Sequence, residues 1–211
     1  MDPSFWHERW VDGRIGFHRS DVNPQLAGWW PSLGLAPGSR VLVPLCGKSR
    51  DLAWLASEGF EVVGVELSGI ACAAFFEESG LTPDVSARQD HVVWSAPGVA
   101  LWQGDFFQFE DGLFDAVFDR AATIALPPRL RAPYAAQIAR MIRPGGRGLL
   151  VSLDYPQHEK DGPPFAVPAD EVERLYAPAF GLEALPLIPD AAPELPVSQV
   201  REHLWRLTRA G

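Results

Sequence analysis

The chain has 211 residues, 47% hydrophobic and 21% charged, which suits one domain with a sizeable core and excludes global disorder. Its formal charge of −9 argues against nucleic acid as the main partner, because phosphate binding needs a basic face. No apolar run approaches the roughly 18 residues of a membrane span, and MDPSFWHERW reads as neither a signal nor a transit peptide. No membrane partner is expected, and a cytoplasmic location is. Cys46 and Cys72, in different elements, suit that reducing compartment better than a disulfide framework.

Residues 1–39 are expected to form an aromatic cap on a domain spanning 40–211. Four of the eight tryptophans (Trp6, Trp10, Trp29, Trp30) fall in the first thirty residues. Trp6 and Trp10 are four apart, so a short helix would put them on one face. They either pin the segment to the core or cover a ligand. Asn23-Pro24 and Trp30-Pro31 break the segment, and 33–38 reads as a loop.

From Arg40 the pattern alternates. Residues 41–45 are an apolar strand, 49–58 a helix closed by Gly59, and 62–67 a second strand. Residues 70–79 form a helix capped by Ser68 and stopped by Gly80. Two runs, 91–95 and 99–102, flank Ala96-Pro97-Gly98 as a hairpin. Then follow a strand at 114–119, a helix at 127–142, a turn at Pro144-Gly145-Gly146, and a strand at 149–153. Val172 to Tyr176 sits in another helix, and 182–188 with 203–208 closes the chain as an antiparallel pair. Residues 154–168 and 186–196 are proline-rich loops. This order implies an α/β fold: a Rossmann-like, seven-stranded, mostly parallel sheet with helices on both faces and a C-terminal antiparallel strand. The ligand of such a sheet sits beyond the carboxyl ends of its strands.

Four strand ends should converge there: Leu45-Cys46-Gly47, Glu66, Gly104-Asp105-Phe106 and Asp119-Arg120. A glycine turn after one strand and an acid about 20 residues on, ending the next, is the layout of a ribose site. Glu66 ends an apolar strand, where an unpaired buried carboxylate costs several kcal/mol, so it needs water or a ligand. Pro44-Leu45-Cys46-Gly47-Lys48-Ser49 holds a single glycine, which argues against a pyrophosphate on this turn. Asp105 contacts an adenine amino group or simply forms the turn before Phe106. Arg120 pairs with Asp119 or holds a carboxylate with its bidentate fork. Lys48 lies outside any P-loop pattern. Cys46 has no base beside it and reads as a packing residue. His18 lies near a substrate or in solvent, and the five histidines show no metal-ligand spacing.

The motifs W-H-E-R-W…I-G-F-H, V-P-L-C-G-K-S-R-D, V-V-G-V-E-L-S, F-D-A-V-F-D-R-A-A and G-P-P-F-A-V-P resemble the thiopurine S-methyltransferase family, including its bacterial members, within the class I S-adenosylmethionine-dependent methyltransferases. The resemblance covers nearly the whole chain. It implies that Leu45 and Gly47 contact the cofactor, Glu66 its ribose and Asp105-Phe106 its adenine, while Arg120 meets the methionine moiety and the substrate side. It also implies an aromatic cover of Trp6, Trp10 and Phe17, with Phe17 nearest the acceptor sulfur, and a monomer. The single-glycine turn then makes sense, since S-adenosylmethionine has no pyrophosphate and its sulfonium suits aromatic faces and carbonyl oxygens.

The expected activity is methyl transfer to a small aromatic or heteroaromatic thiol positioned by Phe17 and Arg120. Selenium or tellurium compounds, thiocyanate or another soft anion are the alternative acceptors, and a non-catalytic S-adenosylmethionine sensor is a remote one. Asp119-Arg120-Ala121-Ala122 departs from the Asn/Asp-Pro-Pro-aromatic motif of amine methylation.

Overall fold

The computed structural model describes residues 3–189 and 195–211. Residues 190–194 of the expected loop at 186–196 therefore lie outside the described residues. The chain opens with α1 (Pro3–Val11) and α2 (Pro24–Trp29), followed by a 3₁₀ turn at Trp30–Leu33. Asn23-Pro24, expected as a break, is a helix start. The Asn23 side chain accepts the N–H of Gln25 and of Leu26, and a proline at the first helical position gives up no needed donor.

The central pattern follows in order. It comprises β1 (Arg40–Pro44), α3 (Arg50–Ser57), β2 (Glu61–Glu66), α4 (Gly69–Glu78), β3 (Asp84–Arg88), β4 (His91–Ala96), β5 (Val99–Gln103) and β6 (Phe114–Asp119). Next come α5 (Ala122–Ala125), α6 (Pro128–Met141), β7 (Ile142–Asp154), α7 (Ala169–Tyr176), β8 (Phe180–Leu185) and β9 (Arg201–Arg209). All strands form one sheet in the order β3-β4-β5-β2-β1-β6-β7-β9-β8. The strands β5, β2, β1, β6 and β7 run parallel, while β9 is antiparallel to β7 and β8.

The sheet thus has nine strands among the described residues rather than seven. The strand without an expected counterpart is β3, at the sheet edge beyond β4; β4 and β5 are the expected hairpin of 91–95 and 99–102. The sequence of β3, DVSAR, has no apolar face, and all five residues are exposed, so periodicity carried no signal. Ser68 precedes α4 but makes no side-chain cap bond; its tie at this corner is the backbone N–H it donates to Glu66. Pro144-Gly145-Gly146 lies within β7, where the pairing with β6 jumps from Phe114↔Ile142 to Ala116↔Arg147.

The parallel strands are buried on both faces, as their continuous apolar runs require. On one face Leu42, Val65, Val117 and Leu150 pack with Tyr134, Ile138, Val172 and Tyr176. On the other, Val41, Val43, Phe118 and Val151 pack with Leu26, Trp30, Leu55 and Phe76. The α2 segment and its 3₁₀ turn therefore belong to the core, and the cap proper is α1 with the loop that follows. Among the described residues, no helix is long and apolar enough to cross a membrane.

Candidate active site

The chain builds outward from β1 through β2 to β5, then returns to β6 on the other side of β1. The crevice at that reversal is where open α/β sheets bind ligands. Its floor is the turn after β1. Leu45 has φ 47° and Gly47 φ 55°, and a left-handed leucine costs on the order of 1–3 kcal/mol, a strain that gathers at functional sites. Glu66, at the tip of β2, binds this turn: its Oε2 accepts the Gly47 N–H at 2.9 Å, and its Oε1 accepts the Ser68 N–H at 2.8 Å. Backbone bonds knit the tips further, from Cys46 N–H to Val65 O (3.1 Å) and from Gly104 N–H to Glu66 O (2.9 Å).

Glu66 is only 7% exposed. Burial pushes its carboxyl above the usual range, opposed by the N–H bonds, from Ser68 first and Gly47 second. Each oxygen holds one N–H donor and keeps a lone-pair direction for a second. That leaves a carboxylate able to accept two hydroxyls side by side.

The cover comes from α1 and its following loop. Trp6 and Trp10 share one helix face, and each meets the Phe17 ring edge-on with centroids 5.6 Å apart. The cover touches the floor, since a Cβ placed at Gly47 would lie 3.2 Å from Trp10 Cζ2. Arg120, just past β6, donates from Nη1 to the Phe17 carbonyl at 3.1 Å. A second tie lies further along the loop, where buried Asp51 accepts the Asn23 N–H at 2.8 Å and the Ser49 hydroxyl at 2.8 Å.

Leu45, Gly47, Glu66, Trp6, Trp10, Phe17 and Arg120 thus form one contiguous region. Asp105 is exposed, and its Oδ1 accepts the Phe107 N–H at 3.0 Å, capping a 3₁₀ turn at Phe106–Gln108. Phe106 is buried, with its ring 5.1 Å from that of Tyr134; only its backbone lies with Asp105 at the strand tip. Gly104 cannot bear a side chain, because a Cβ there would lie 2.3 Å from the His91 ring. Asp119 turns inward to Thr123 and Tyr134, so the local pairing open to Arg120 in the sequence is not the arrangement adopted. Cys46 is buried, and burial pushes its thiol well up, as suits a packing residue. Lys48 pairs with Glu78 at 2.5 Å. His18 sits beside this pair, and burial with the nearby Lys48 lowers its pKa.

Four site-supporting residues went unseen in the sequence: Asp51, Thr123, Tyr134 and Tyr176. Asp51 alone carried a local signal, as the acid two residues after the Ser49 helix cap. A groove of about 460 Å³ lies elsewhere, between α6, α7 and the end of β9, and contains none of these residues.

Residues 1–210 match the family described as Thiopurine S-methyltransferase (TPMT). The chain belongs to this family. It is 52% identical over 188 residues to a thiopurine S-methyltransferase of Pseudomonas fluorescens (strain SBW25), covering 88% of this chain and 86% of the relative. It is 46% identical over 216 residues to one from Pseudomonas entomophila (strain L48), covering 99% of this chain and all of the relative. The fold is similar to that of a Burkholderia thailandensis 1,6-didemethyltoxoflavin-N1-methyltransferase solved with bound 1,6-didemethyltoxoflavin and S-adenosylhomocysteine. That match has a TM-score of 0.68 at 18% identity and covers 99% of this chain and 87% of that one. This member of the family is accordingly an S-adenosylmethionine-dependent methyltransferase.

Proposed function

We propose that the enzyme methylates the sulfur of small aromatic or heteroaromatic thiols, a class that includes the thiopurines for which its relatives are named. The carrying observation is the joined floor and cover: Glu66 ties the β1 turn to the start of α4 through the Gly47 and Ser68 N–H groups, directly beneath the Trp6–Phe17–Trp10 cluster.

The residues present fit S-adenosylmethionine. In this reading Glu66 accepts the two ribose hydroxyls with its remaining lone pairs. The left-handed turn at Leu45 and Gly47 exposes backbone at van der Waals distance from the ligand. Asp105 and the Phe106 backbone flank the adenine. Trp6 and Trp10 offer ring faces to a sulfonium, an attraction of about 0.5–2 kcal/mol. When bound, the cofactor supplies an electrophilic methyl group on a positive sulfur.

This chain's own task is then orientation. Arg120 holds the Phe17 carbonyl, and its guanidinium is the group that meets the methionine carboxylate and an anionic acceptor. Phe17 stacks on the aromatic acceptor and excludes water from it. Holding two reactants at near-attack distance supplies roughly 7–11 kcal/mol of the barrier. A heteroaromatic thiol is largely ionised near neutrality, so the chain need not supply a strong base. Of residues 1–39, α1 and the loop that follows it act as cap to the 40–211 domain, a single chain suffices, and the reduced buried thiols of Cys46 and Cys72 suit the cytoplasm.

The test is transfer of labelled methyl from S-adenosylmethionine to a panel containing 2-nitro-5-thiobenzoate, mercaptopurine, and selenium and tellurium oxyanions. The proposal expects S-methyl products from the aromatic thiols. Turnover of the oxyanions alone would refute it.

A further inference from the structure

On the core side of the β6–α5 turn, directly behind Arg120, side chains from four elements meet: Asp119 of β6, Thr123 of α5, Tyr134 of α6 and Tyr176 of α7. All four are at most 2% exposed. Asp119 Oδ1 accepts the N–H groups of Ala122 (3.1 Å) and Thr123 (3.2 Å). Its Oδ2 accepts the Thr123 hydroxyl at 2.6 Å and the Tyr134 hydroxyl at 2.7 Å. The Tyr176 hydroxyl lies 2.6 Å from Thr123 Oγ1 and 3.5 Å from Oδ2.

Donor directions follow by counting. An ionised carboxylate only accepts, so Thr123 and Tyr134 donate to it, and Thr123, having given its proton, accepts from Tyr176. Burial pushes both phenols well up, which keeps them as donors. With two donors on each oxygen, Asp119 is saturated.

Stability alone explains such a cluster poorly, because well-packed apolar side chains often serve as well as a buried charge. Its position explains it better. Asp119 and Arg120 are neighbours at a strand tip, where opposite charges would pair and fold the guanidinium back. Instead Arg120 reaches 103 residues away in sequence to the Phe17 carbonyl. The Tyr134 ring also packs on Phe106, so the same network braces the tip of β5.

We propose that Asp119, Thr123, Tyr134 and Tyr176 are positioning residues for methyl transfer: backbone N–H groups fill Oδ1 of Asp119, the Thr123 and Tyr134 hydroxyls fill Oδ2, and Tyr176 orients the Thr123 hydroxyl, so Asp119 does not draw Arg120 back from the cover and the acceptor. This rests on the reading of Arg120 given under Proposed function.

A double-mutant square of Tyr134→Phe and Arg120→Ala tests it, with KM for 2-nitro-5-thiobenzoate, S-adenosylmethionine affinity and thermal midpoint as readouts. Alone, Tyr134→Phe should raise the acceptor KM roughly tenfold, with no such rise once Arg120 is alanine, while the drop in thermal midpoint is the same in both backgrounds. A Tyr134→Phe effect on acceptor KM that is absent, or equal in both backgrounds, overturns the inference and leaves Arg120 untouched. An unchanged acceptor KM in Arg120→Ala overturns the reading of Arg120 and this inference with it. Should Tyr134→Phe not fold, the same square with Thr123→Val, which removes the other hydroxyl on Asp119 Oδ2, decides by the same criteria.

Discussion

Glu66 and Arg120 end nearby parallel strands of one sheet, yet they are partnered in different ways. Glu66 binds the two turns beside it, with partners 19 and 2 residues away in sequence. Arg120 reaches across the crevice to a carbonyl in the cover, 103 residues away. The floor is therefore set by the strands themselves, whereas the cover is fastened through a few long-range contacts: Arg120 to Phe17, Asp51 to Asn23, and Trp10 on Gly47. We read this as a division of labour. The floor recognises a constant cofactor, and the cover admits and orients a variable acceptor.

The sharpest way to break that division is at the floor. Glu66→Ala removes the acceptor for two backbone donors and both proposed hydroxyls. Losses of about 1.5 kcal/mol for each bond to a charged group predict at least a 100-fold fall in kcat/KM for S-adenosylmethionine, measured at saturating acceptor. At the seam, Gly47→Ala forces a Cβ into a left-handed turn 3.2 Å from Trp10. Roughly 1–2 kcal/mol of strain should lower the calorimetric midpoint by about 2–8 °C and weaken both ligands. On the cover, Phe17→Ala should raise the acceptor KM roughly tenfold through lost ring contact, with kcat/KM for S-adenosylmethionine changing much less.

A fourth effect is electrostatic. Burial raises the Glu66 carboxyl above its ordinary 4.5, so just above that pH the folded protein keeps a proton that the unfolded chain has released. That contribution to stability is full below about pH 4.5 and is lost as pH rises through the folded value. Denaturant titrations from about pH 4 upward should show a shallower decline for Glu66→Gln than for the wild type. The smallest effect lies at the cover's edge. His18 is held low by burial first and by Lys48 second, so Lys48→Met should move its NMR titration upward.

The same contrast governs how much could be read from the sequence. The floor was legible because its parts are local: an apolar strand, a glycine, and an acid closing the next strand. Trp6 and Trp10 were legible as a pair because four-residue spacing puts them on one face. Their partner Phe17 depends on tertiary contact and was singled out by family resemblance, whereas the donor bond from Arg120 to its carbonyl had no signal in the sequence. Thr123, Tyr134 and Tyr176 gave no signal, since a tyrosine aimed at a distant carboxylate looks like any buried aromatic. The polar strand β3 was missed for a related reason. It pairs at the sheet edge without burying a face, and hydrophobic period is blind to that.

Calorimetric titration of S-adenosylmethionine into Glu66→Ala and Phe17→Ala, side by side with the wild type, tests the division most directly. The account predicts a dissociation constant about 100-fold weaker for Glu66→Ala and within roughly threefold of wild type for Phe17→Ala. Equal weakening in both variants, or unchanged binding in Glu66→Ala, would contradict it.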